Sequence, residues 1–133
     1  MQEIIGTKLS GPGDALKGGE EPVNEPRQEK PASATEYFQP VAFLARSLSD
    51  ENRLRIVQYI SGGKRSVTSI VEELNLSQPL VSHHLRELKR SLLVKIERNG
   101  PFIYYELSDP RILNVIQSLS TVARDLLSAR KIY

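Results

Sequence analysis

The sequence predicts a mainly α-helical domain carrying one small β-hairpin, in the order α-α-α-α-β-β-α. Three observations carry that expectation. Apolar residues recur at three- and four-residue spacing through five stretches between Pro40 and Arg130. Asn99-Gly100-Pro101 separates two runs rich in β-branched and aromatic residues, Leu93 to Arg98 and Phe102 to Leu107, which is a hairpin signal. A chain of 133 residues has room for one compact domain and not comfortably for two.

Pro40 would break a helix already several residues old, so the first helix is expected to start near it, with Val41, Leu44, Ala45 and Leu48 on its apolar side. Ser49 is the expected N-cap of a second helix, where Asp50 and Glu51 suit the positive end of the helix dipole and Gly62-Gly63 ends the run. Ser69 and Glu72 have capping-box spacing and open a short third helix through Leu74. After the tight turn Asn75-Leu76-Ser77, Ser77 caps a fourth helix with Pro79 in its first turn.

At 100° per residue, Val81, Leu85 and Leu88 of that helix fall within an arc of roughly 60°, which faces the core. Centred opposite are Pro79, His83, Arg86 and Arg90, with Ser82 on one shoulder and Leu80 on the other. The last helix, from about Pro110 to Arg130, spreads its apolar residues over roughly 140°. That arc is too wide for one small domain to cover, so the chain is expected to be a homodimer.

Five of the eight glycines and four of the eight prolines precede Thr35, so residues 1–34 are expected to be a disordered tail, leaving 35–133 as the domain. The tail holds four basic and six acidic side chains, a net −2, so the rest of this +2 chain carries +4. A basic domain suggests a polyanionic partner. No apolar run approaches the roughly 18 residues of a membrane span, and the first residues do not read as a secretory signal, so a cytoplasmic protein is expected. The absence of cysteine removes disulfides, thiolate metal sites and cysteine nucleophiles. The two histidines, His83 and His84, point roughly 100° apart on a helix and cannot chelate one ion as an i, i+4 pair could. With no third histidine and no phosphate-binding glycine loop, neither an enzyme nor a cofactor is expected.

Two short helices joined by a tight turn, the second with a polar and basic outer face, followed at once by a basic hairpin, make a winged helix-turn-helix. Such a helix fits the major groove of double-stranded DNA. Gln78, Ser82 and His83 then lie where base edges are within reach, while Lys89, Arg90, Lys95 and Arg98 can hold phosphates, and Arg86 can do either. Leu80 reads as an exposed leucine that touches a thymine methyl or is simply tolerated surface. The alternative function is a winged-helix module that binds another protein. Salt dependence on random duplex separates the two, because only phosphate contacts give a steep decline.

Three stretches resemble a known family. Leu48-Ser49-Asp50-Glu51-Asn52-Arg53-Leu54-Arg55-Ile56, Leu76-Ser77-Gln78-Pro79-Leu80-Val81-Ser82-His83-His84-Leu85 and Tyr104-Tyr105-Glu106-Leu107 are similar to the signatures of ArsR-type winged-helix repressors. The match spans Leu48 to Leu107, 60 of the 133 residues. The resemblance implies a homodimeric repressor on a palindromic operator. Residues 78–90 take the recognition-helix positions and 95–102 the wing, which adds Pro79 and Asn99 to the DNA-facing set. The resemblance also puts the dimer interface on the first and last helices, through Val41, Leu44, Ile112, Ile116, Leu119, Ala123 and Leu126. Where metal-sensing members place a Cys-x-Cys pair, this chain has Ser66-Val67-Thr68, and its last helix offers Asp109 and Asp125 but no histidine, so no metal is expected.

Overall fold

The computed structural model of the chain describes residues 33–130. Five helices and one hairpin follow in the order α1 (Ala34–Ser47), α2 (Glu51–Ile60), α3 (Val67–Leu74), α4 (Gln78–Arg90), β1 (Val94–Asn99), β2 (Phe102–Leu107) and α5 (Arg111–Arg130). The expectation for residues 1–32 lies outside the described residues. No described helix is long and apolar enough to cross a membrane.

Three helices start elsewhere than the sequence suggested. α1 begins at Ala34, not near Pro40, because Ser33 caps it by accepting the Glu36 N–H at 3.2 Å. Pro40 lies inside the helix on an exposed face, so its ring meets solvent and not the core. Ala34, assigned to the tail by composition, therefore opens α1, and Ser33 caps it. The α2 cap is Asp50 rather than Ser49: its Oδ1 accepts the Arg53 N–H at 3.0 Å, while the Ser49 hydroxyl donates back to the Arg46 carbonyl. The α3 cap is Ser66 rather than Ser69, which sits in the first turn and donates its N–H to Ser66 Oγ at 3.1 Å.

The reason for the early α3 start is tertiary. Arg65 and Tyr105 exchange backbone hydrogen bonds of 3.0 and 2.8 Å, an antiparallel bridge that keeps the chain extended until Ser66. It also ties the α2–α3 connection to the hairpin. α3 ends at Asn75, whose left-handed φ of 53° is tolerated by asparagine, and Arg55 of α2 donates to the Leu74 carbonyl at 3.0 Å.

Nine side chains form the core: Ile56, Val57 and Ile60 of α2, Ile70 of α3, Val81, Leu85 and Leu88 of α4, and Leu93 and Val94 leading into β1. The hairpin pairs Val94 with Leu107 through Asn99 with Phe102, one residue later in the first strand than the sequence suggested. Its loop is Gly100-Pro101, with Gly100 at φ 62°. A positive φ at the first loop position and a proline-fixed negative φ at the second follow the type II′ pattern, so Pro101 is compatible with a two-residue turn.

Candidate nucleic-acid interface

α4 is capped by Ser77, as its spacing predicts, and carries Pro79 in its first turn. Its back face is anchored by Val81, Leu85 and Leu88, all essentially fully buried. The period of the helix then turns Gln78, Pro79, His83, Arg86, Lys89 and Arg90 outward, all exposed, with Ser82 half-buried on the shoulder. Leu80 departs from the wheel: it is half-buried rather than exposed.

His84 belongs to the interior, only 4% exposed. A guanidinium of Arg53 lies 3.3 Å from Nδ1. Arginine only donates, so Nδ1 must accept and Nε2 carries the proton, aimed at Asp50 Oδ1 3.7 Å away. Arg53 also donates through Nε to the Ser47 carbonyl at 2.6 Å, and Ser91 at the end of α4 donates its hydroxyl to Ser47 Oγ at 2.7 Å. This network fastens α4 to the α1–α2 junction. Sequence reasoning missed it because Arg53 and His84 are 31 positions apart; an arginine in the α2 stretch and a histidine on the core border were its only signals.

Burial pushes the His84 imidazole below its ordinary range, opposed by Asp50 and reinforced by the charges of Arg53 and His83, with Glu87 opposing weakly. The unfolded chain therefore takes up a proton that the folded chain resists. Stability from His84 is full above the ordinary histidine value of about 6.5 and declines as pH falls below it. Thermal melts between about pH 7 and pH 5 should show a falling midpoint that His84→Gln flattens, since glutamine at that buried position takes up no proton. Asp50, lowered chiefly by the Arg53 N–H, adds its own loss only in the more acidic carboxylate range.

The cations separate into two groups. Arg86, Lys89 and Arg98 have no ion-pair partner among the described residues. Arg90 pairs with Glu87 at 3.0 Å, and Lys95 of β1 pairs across the hairpin with Glu106 at 3.6 Å. Lys64, which the sequence reading did not select, pairs with Glu97 of the wing. Asn99 stands exposed at the wing tip beside the equally exposed Phe102.

The residues assigned to a dimer face divide. Ile112 and Ile116 are half-buried against the core of their own subunit, and Ala123 is half-buried. Val41, Leu44, Leu119 and Leu126 are exposed. Exposed Val115 and Val122 complete a stripe, Val115-Leu119-Val122-Leu126, each 52–67% exposed, at the four-three-four spacing of a helix-pairing seam. Among the described residues no three His, Cys, Asp or Glu side chains group as metal ligands.

An apolar-backed, polar-fronted helix after a tight turn, with a hairpin directly behind it, defines a winged helix-turn-helix regulator. The family model for bacterial regulatory proteins of the ArsR family matches residues 50–95. The transcriptional repressor SdpR of Bacillus subtilis is 38% identical over 63 residues, which make up 47% of this chain and 70% of that one. The chain belongs to the ArsR family of bacterial transcriptional regulators. Among solved structures, the transcriptional repressor BigR from Xylella fastidiosa matches at 30% identity with a TM-score of 0.57, covering 62% of this chain and 84% of that one. A homodimeric winged helix-turn-helix DNA-binding domain from Mycobacterium bovis has a TM-score of 0.62 and covers 72% of this chain and 89% of that one. At 23% identity it bears on the fold alone.

Proposed function

We propose that this protein is a homodimeric repressor that binds a two-fold-symmetric DNA operator through α4 and the β1–β2 wing. The observation that carries this reading is the outward face of α4. It combines hydrogen-bonding groups in its first half with cations in its second, on a helix immobilised from behind by apolar packing and the His84 network. Gln78, Ser82 and His83 read base edges, with Pro79 fitting the groove wall; Arg86, Lys89 and Arg98 hold phosphates, and Asn99 approaches the backbone from the wing. Arg90 and Lys95 contribute less, because each must first leave a carboxylate. Operator binding needs no catalytic group and no metal, and is carried out in the cytoplasm, where the DNA lies.

The test is a paired titration on a duplex enriched from a random library by the protein itself and on an unselected duplex, at several salt concentrations. Ser82→Ala and His83→Ala should each cost roughly 1–3 kcal/mol on the selected duplex and little on the other. Lys89→Ala and Arg98→Ala should weaken both and lower the salt slope by about one unit each. Equal loss on both duplexes for Ser82→Ala and His83→Ala, with the fold intact, would remove α4 from the major groove.

A further inference from the structure

The turn that ends α4 is closed by two backbone hydrogen bonds, Leu93 N–H to the Leu88 carbonyl and Leu92 N–H to the Lys89 carbonyl, both 3.0 Å. This Schellman pattern requires a left-handed residue just beyond the cap, a place usually taken by glycine because a Cβ there crowds the following carbonyl. Here it is Leu92, at φ 66°. The same residue is 75% exposed, so one position combines a strained backbone with an uncovered apolar side chain. The other non-glycine residue of positive φ among those described, Asn75, is of a type that tolerates the conformation.

Leu92 walls an open groove of about 400 Å³ between Leu44 of α1 and Val115 of α5, over the more buried Leu93 and Ile112. Beyond Val115 the exposed apolar surface continues along α5 through Leu119 and Val122 to Leu126. At 1.5 Å per residue that stripe runs about 16 Å. A small apolar ligand could fill a groove of this volume but could not also cover the stripe; a second protein chain covers both.

We propose that Leu92 is an interface anchor: a second copy of this chain fills the groove and buries Leu92, and by two-fold symmetry the partner's groove receives the same treatment. The inference rests on the homodimer reading and extends it to a residue outside α1 and α5. The strained leucine is retained in place of glycine because the side chain is covered only in the dimer.

Sedimentation equilibrium of the full chain and of Leu92→Gly over a concentration series tests this, with urea unfolding of Leu92→Gly in a Leu119→Glu background as the monomer control. Each dimer loses two buried side chains, so the dissociation constant should rise about tenfold or more. In the monomer the same substitution should leave the urea midpoint unchanged or raise it, since glycine relieves the left-handed strain and no packing is lost. An unchanged dissociation constant would place Leu92 outside the interface and overturn the proposal while leaving the dimer standing. A lowered midpoint in the monomer would show that Leu92 packs within its own subunit and would also overturn it. Wild-type chain sedimenting as a monomer at tens of micromolar would instead defeat the homodimer reading itself.

Discussion

Leu119→Glu should give a folded monomer that binds the selected operator about a hundredfold more weakly than the wild-type chain. The side chain is 62% exposed at the middle of the Val115-Leu119-Val122-Leu126 stripe, so a glutamate there meets water in the monomer and disturbs nothing packed beneath it. In the dimer it would face apolar surface, where an unpaired carboxylate cannot be solvated. Loss of pairing unlinks two recognition helices that otherwise bind as one ligand, and linkage of this kind strengthens binding by roughly 10² or more. Sedimentation and titration of the same sample check both halves of the expectation. Retained dimerisation would take α5 out of the interface.

Leu85→Ala should destabilise the domain by about 2–5 kcal/mol, a large part of the stability of a small domain. Leu85 is 1% exposed and sits in the core beside Val81 and Leu88 on the back of α4. Removing the three outer carbons of the side chain there leaves a cavity in a core shared by several elements, none of which can close it alone. His83→Ala, two residues away on the exposed face, should leave the urea midpoint nearly unchanged. The contrast between two positions on one helix separates what holds the helix from what the helix presents. A small loss for Leu85→Ala would mean that α4 is anchored chiefly by the Arg53–His84–Asp50 and Ser47–Ser91 contacts.

Much of this arrangement is legible in the chain because it depends on neighbours in sequence. The Ser77 cap, the outward face of α4, the hairpin around Asn99-Gly100 and the excess apolar width of α5 each follow from residue type and a period of two or 3.6. Such features require no knowledge of what lies across the fold. The helix starts failed for the same reason: Ser49 and Asp50, or Ser66 and Ser69, are locally equivalent capping candidates.

What the sequence by itself determined is the order of elements, the winged helix-turn-helix class and the polar front of α4. The tertiary structure decided the rest. The Arg65–Tyr105 bridge chose Ser66 as the α3 cap, and Arg53 drew His84 inward and fixed its tautomer. Glu106 drew Lys95, one of the predicted phosphate contacts, into an ion pair across the hairpin. The α5 arc was divided between an edge that meets the core, at Ile112 and Ile116, and an edge left free, at Leu119 and Leu126. Each of these depends on a partner brought close only by folding, and a hydrogen bond or ion pair exists only at distances of a few ångströms, which local periodicity does not encode.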